Sequence, residues 1–246
     1  VVGSHSFVEI STLQGSGVGG PGTSYGRKAD GYVWAWGGNA NGELGDNVTR
    51  NNRSSPTLVV GENLYVQISA SGGNNISARK VDGSVWSWGN NGYGQLGIGT
   101  ILPSSSPTIV LGAHSFIKIS AGGGHTAALR SDGTIWSWGL NTSGQLGLGV
   151  TLNNRSSPTI VIGSNSFIDV ACGTDHTLAL KQDGSAWSWG YNTNGQLGLG
   201  ATNIYRSSPT IVVGSNSFID IAGGYQHSLF KDVYKRIWSC GSGIYG

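Results

Sequence analysis

The sequence predicts an all-β fold, a β-propeller of four-stranded antiparallel blades, and three observations carry that prediction. A Trp-X-Trp-Gly segment recurs with Trp34 and Trp36, Trp86 and Trp88, Trp136 and Trp138, and Trp187 and Trp189; a fifth copy has Trp238 followed by Cys240. Pro56, Pro107, Pro158 and Pro209 stand 51 residues apart, and so do Gly61, Gly112, Gly163 and Gly214. Each period holds four short apolar stretches separated by turn residues, the signature of a copied sheet rather than of helices. The units read 1–58, 59–109, 110–160, 161–211 and 212–246, one propeller domain whose last unit is incomplete.

The fourth unit serves for all. Phe167 to Ala171 alternates as a first strand, A, and His176 to Leu180 forms strand B after a Gly-containing junction. Asp183-Gly184 predicts a type I′ hairpin into strand C, Ala186 to Trp189. A long Gly/Asn loop from Gly190 to Gly200 follows, and strand D opens on Pro209, where a missing N–H is tolerated. Trp187 and Trp189 lie two apart, so both point to one face while Ala186 and Ser188 point to the other. A large side of one blade then meets a small side of its neighbour. Packing between blades is thus the expected role of all nine tryptophans, and stacking on a glycan is set well below it.

Composition narrows the function. Of 246 residues, 14 are Lys or Arg and 12 are Asp or Glu, a net charge of +2 that supplies no electrostatic footprint for nucleic acid. No apolar run is long enough to span a membrane as a helix, so no membrane insertion is expected. Methionine is absent, which reads as a processed product or part of a longer chain. Cys172 and Cys240 lack metal-ligand spacing and fix no redox compartment.

The run Ala121-Gly122-Gly123-Gly124-His125-Thr126-Ala127-Ala128-Leu129, followed by Ser131-Asp132-Gly133, Ile135 to Gly139 and Asn141-Thr142-Ser143-Gly144-Gln145-Leu146-Gly147, resembles the repeat of the regulator-of-chromosome-condensation family, with likeness to its bacterial surface and phage members. The resemblance covers essentially the whole chain and implies a propeller, usually of seven blades. This chain departs from it with four complete units and a fifth that lacks strand D. Two readings stay open: a ring of five closed by a three-stranded blade, and further blades beyond Gly246. Units one and two also depart, with a glycine-rich insertion between Gln14 and Gly26 and with Asn74-Asn75 where later units have histidine.

No catalytic constellation is found, and the chain is expected not to be an enzyme. His125, His176 and His227 recur once per unit at the start of strand B; convergence on a metal is weighed and set below hydrogen bonding of the glycine-rich turn. Asp82, Asp132 and Asp183 each precede a turn glycine, where turn chemistry outweighs a catalytic carboxylate. The position held by Glu9, Gln67, Lys118, Asp169 and Asp220 accepts both signs, unlike a general acid. The paired serines before each proline lack the setting of a nucleophile elbow. Gly-Gln-Leu-Gly-Leu-Gly at 144–149, and its twin at 195–200, mimics a dinucleotide fingerprint without a helix to follow it, so no cofactor is called for.

Binding is better supported. The A–B and C–D loops share one end of a blade, and the C–D loop varies between units. Asn90, Asn91, Tyr93, Leu140, Asn141, Tyr191 and Asn192, with Tyr225 and Gln226 of an A–B loop, are the candidate interaction face. The expected function is a non-enzymatic protein-interaction propeller within a larger assembly, displayed on a virus particle or cell surface. The resemblance implies two alternatives, nucleotide exchange on a small GTPase and secreted enzyme inhibition through Tyr93, Tyr191 and Tyr225.

Overall fold

The computed structural model describes residues 6–13, 22–61, 64–112, 115–214 and 217–243. Most of the unit-one insertion, 14–21, lies outside them. The described residues hold nineteen strands in five antiparallel sheets. Blade 1 comprises β1 (Phe7–Leu13), β2 (Thr23–Lys28), β3 (Val33–Gly37) and β4 (Arg53–Leu58). Blade 2 comprises β5 (Tyr65–Ser71), β6 (Asn75–Lys80), β7 (Val85–Gly89) and β8 (Ser104–Ile109). Blade 3 comprises β9 (Phe116–Ala121), β10 (His125–Arg130), β11 (Ile135–Gly139) and β12 (Arg155–Ile160). Blade 4 comprises β13 (Phe167–Cys172), β14 (His176–Lys181), β15 (Ala186–Gly190) and β16 (Arg206–Ile211). Blade 5 has three strands, β17 (Phe218–Gly223), β18 (His227–Asp232) and β19 (Ile237–Gly241).

Within each blade the strands run A-B-C-D, and the A strands of successive blades touch one another, so A is innermost and D outermost. Successive blades stack one against the next. The face of blade 5 that corresponds to the buried faces of blades 3 and 4 is open, with His227 and Leu229 exposed.

Three local expectations need correction. The B–C turn is not type I′: of Asp183 and Gly184 only the glycine has positive φ, 81°, and Gly184 N donates to Lys181 O at 3.0 Å. That is a type I turn closed by a left-handed glycine, a hairpin whose bulge restores the strand twist. Strand D starts earlier than its proline, since Pro209 is the fourth of six residues in β16. It falls where the pairing with β15 shifts register between Ser188 and Gly190. An outermost strand with an irregular ladder needs no donor there. Strand A does not alternate strictly, because Phe167 pairs with Lys181 and Asp169 with Leu180, leaving Ile168 as a bulged, exposed residue. The same shift recurs in all five blades.

The bulge aims the variable strand-A residue at the next blade. Gln67 Nε2 donates to Ile119 O at 2.9 Å while Ile119 N donates to Gln67 Oε1 at 3.1 Å. Glu9 accepts from Ile68 N, and Lys118 pairs with Asp169 of blade 4. A position tolerating either charge sign is thus an inter-blade tie.

Candidate functional site

In blades 2 to 4 the second tryptophan of the pair is the inter-blade anchor. Trp88, Trp138 and Trp189 are fully buried. Trp189 packs among Ala127, Leu129 and Ile135 of blade 3, so the indole of each blade enters the preceding one. Its N–H finds a fixed acceptor there: Trp88 donates to Glu43 O at 2.9 Å, Trp138 to Gln95 O at 2.9 Å and Trp189 to Gln145 O at 3.0 Å. The first tryptophan does a different job. Trp86, Trp136 and Trp187 are half-buried, and their N–H groups reach the hydroxyls of Ser84, Thr134 and Ser185. Those hydroxyls donate to Asp82, Asp132 and Asp183. These bonds hold the three carboxyls below the usual carboxylate range, as turn chemistry requires. Lys80 and Lys181 cover the faces of Trp86 and Trp187 at 4.5 and 4.7 Å, so those rings offer no stacking platform for a sugar. In blade 1, Trp34 and Trp36 are both half-buried, Lys28 lies over Trp34, and Trp36 stacks on Phe7. Trp238 is half-exposed.

The repeated histidines bridge blades rather than hold their own turns, which corrects the expectation. His125 Nε2 lies 2.9 Å from Thr177 Oγ1, and His176 Nε2 lies 2.8 Å from Ser228 Oγ. Thr177 and Ser228 already donate to Gln145 O and Gln196 O, at 2.9 and 2.7 Å. Each hydroxyl therefore accepts from the imidazole, which fixes the Nε2–H tautomer in both rings. Burial pushes these imidazoles down, to about 3 for His125 and about 4 for His176. His227 occupies the same place on the open face of blade 5.

The C–D loop is built on an asparagine that sequence reasoning put on the surface. Asn91, Asn141 and Asn192 are fully buried, and so is Asn39 in blade 1. Asn91 Nδ2 donates to the carbonyls of Thr100 and Leu102, both at 2.9 Å, while its Oδ1 accepts from Leu96 N. Asn141 joins Val150 O to Leu146 N, and Asn192 joins Ala201 O to Leu197 N. A side-chain amide here closes a loop whose backbone has no ladder of its own. Replacing Asn141 by Ala orphans the Leu146 N–H and should cost about 1–3 kcal/mol. Amide exchange at Leu146 should quicken; an unchanged Tm and unchanged protection would refute the clasp.

Sequence reasoning also missed the glutamines. In Gly-Gln-Leu-Gly, the side chains of Gln95, Gln145 and Gln196 fold back to accept from the N–H of Tyr93, Ser143 and Asn194. Their own carbonyls then serve the next blade. The recurrence of that tetrapeptide in units two to four, with Glu43 in the glutamine's place in unit one, was the available signal.

What remains at the loop end is aromatic and apolar. Tyr93 and Leu140, from blades 2 and 3, converge on Gly124, where an added Cβ would stand 3.3 and 3.2 Å from them. The A–B and C–D loops therefore do share an end. Tyr191 is half-buried and stacks on Tyr205 at 5.2 Å. Asn90 turns its carbonyl onto Gly92 N, and Gln226 is half-buried. Tyr225 is 65% exposed. The structure adds residues not foreseen: Ile101 and Leu102, Val150 and Leu152, and Ile204 and Tyr205 are exposed on the C–D loops of blades 2, 3 and 4. Among the described residues, no group of three or more His, Cys, Asp or Glu is placed to hold a metal.

The family profile of the RCC1-like domain matches residues 12–246. This chain belongs to the RCC1-like domain family. The RCC1-like chain is 29% identical over 222 residues to the ultraviolet-B receptor UVR8 of Arabidopsis thaliana, covering 88% of this chain and 50% of the receptor. Among solved structures, human WBSCR16 has a TM-score of 0.80 at 25% identity, covering 94% of this chain and 59% of that one. Prp20p of Saccharomyces cerevisiae, described for its binding to Gsp1p and histones, has a TM-score of 0.78 at 26% identity, covering 90% of this chain and 56% of Prp20p. The RCC1-like chain thus spans half of UVR8 and less than two thirds of either solved propeller.

Proposed function

We propose that this RCC1-like propeller is a non-enzymatic binding protein whose A–B/C–D loop end docks a protein partner in a larger assembly displayed on a virus particle or cell surface. One observation carries the docking: every C–D loop of blades 2 to 4 rests on the same buried Asn clasp yet presents different apolar side chains to solvent. Leu102 is 68% and Leu152 77% exposed. A constant frame with a variable apolar tip is the arrangement of a contact surface, since solvated loops gain nothing from exposed leucine. Display outside a cell or on a particle rests on composition, with few charges and much Asn, Ser, Thr and Gly. The titratable side chains that recur in the blades are committed to turns and inter-blade bonds, which supports a role without chemistry.

The test is a tagged chain recovered in its native complex. Leu102→Glu with Leu152→Glu, or Tyr225→Ala, should weaken that complex at least tenfold while leaving the circular dichroism unchanged, and Gln182→Glu at the opposite end should not. A native monomer, or a complex indifferent to the loop variants, would refute the reading. Likeness to Prp20p favours a second reading, contact with a small GTPase; stimulated release of labelled GDP from a candidate GTPase would select it.

A further inference from the structure

Three of the inter-blade slots are filled by an indole, and the fourth is not. At Gly45, Gly97 and Gly147 an added Cβ would stand 2.7, 2.8 and 2.8 Å from the indole nitrogens of Trp88, Trp138 and Trp189. The glycines are flat floors on which those rings lie. The equivalent floor between blades 4 and 5 is Gly198, and what faces it is the thiol of Cys240, 3.2 Å from the added Cβ. Cys240 Sγ makes the bond the indole makes elsewhere, to Gln196 O at 3.3 Å, but a thiol is a weak donor and fills far less space. The thiol stands at the floor of a pocket of about 590 Å³, open to solvent on one side and walled by Gly198, Val212, Phe218, Phe230, Trp238 and Cys240. That volume lies in the ordinary range for small-molecule sites, and apolar cavities left by a missing side chain accept ligands of the missing shape.

We propose that this pocket binds a small flat aromatic of indole size that carries an N–H donor, its ring over Gly198 and its N–H on the Gln196 carbonyl. The other three slots define the ligand: each pairs a glycine floor, a valine wall and a loop carbonyl with one indole. Val212 is the wall here, as Val59 and Val161 are at Gly45 and Gly147. The thiol, pushed up to about 11 by burial, stays protonated and can yield its bond to a stronger donor.

Free indole is the probe, titrated into the full chain and followed by methyl resonances. Saturable shifts are expected at Val212 and Val213, while Val110 and Val161, beside slots already filled, stay still. 1-Methylindole, which lacks the donor, should bind about threefold to tenfold more weakly. Cys240→Trp should abolish the shifts and raise Tm by about 3 °C or more. If that variant does not fold, Cys240→Leu, a partial plug, must weaken binding. No saturable shift at millimolar indole, equal shifts at Val110 and Val161, or undiminished binding to a folded plugged variant would each overturn the proposal. None of these readouts depends on the loop-end partner.

Discussion

Replacing Trp138 by Ala should lower the stability of the chain by about 3–5 kcal/mol, the largest effect expected of any single substitution discussed above. The indole is fully buried with Val85, Val110, Phe116, Ile119 and Ala128, a cluster drawn from blades 2 and 3. Its removal leaves a void between two sheets whose backbones are each pinned by their own ladders, so the site cannot collapse to fill it. It also deletes the bond to Gln95 O, although Thr126 Oγ1 still reaches that carbonyl at 3.1 Å. Trp136→Ala is the internal control. That ring is half-buried and lies at the edge of the same cluster, with its N–H on the hydroxyl of its own turn, and its loss should cost clearly less. Urea midpoints compare the two, and hydrogen exchange should show the boundary between blades 2 and 3 loosening first, because a repeat array couples through nearest neighbours. Equal midpoints for the two variants would mean that the second tryptophan is not the anchor.

Acid should unfold the chain through His125 and His176. Their ordinary value is near 6.5, and burial lowers them to about 3 and about 4 in the folded state. Between about pH 6.5 and pH 4 the unfolded chain therefore binds two protons that the folded chain refuses. Stability is full above the unfolded value and falls as pH drops, with a limiting slope of about 2.7 kcal/mol per pH unit for two such groups. Asp175 runs the other way, since burial raises its carboxyl, but it is a single group against two. The exposed turn carboxylates are held low by their hydrogen bonds and enter below it. Blade 2 shows that the fold accepts Asn at this position, as Asn75, so the double variant His125→Asn with His176→Asn should lose some stability at pH 7.5 yet flatten the slope between pH 6.5 and 4. A slope unchanged in that variant would assign the acid sensitivity elsewhere.

The candidate face was legible only in part. Tyr93 and Tyr225 are where the repeat pattern put them, and Tyr191 is at the same end but engaged with Tyr205. Asn91, Asn141 and Asn192 are not contact residues, because an asparagine among glycines looks the same in sequence whether its amide meets water or closes the loop from inside. The apolar tips, Leu102 and Leu152 among them, were hidden by the opposite difficulty. A leucine outside any strand period has no face until the loop that carries it is folded.

By itself the sequence determined the period, the four strands of each complete blade and the three of the fifth, and which face of strand C carries tryptophan. Those follow from interactions within a few residues, alternation and turn glycines, which any window of the chain contains. The tertiary structure decided what each buried group meets: that Trp189 donates to Gln145, that His125 leans on Thr177, and that Cys240 leaves a slot its counterparts fill. Each of those contacts joins residues some fifty positions apart, and only the stacking of one blade on the next brings them within hydrogen-bond reach.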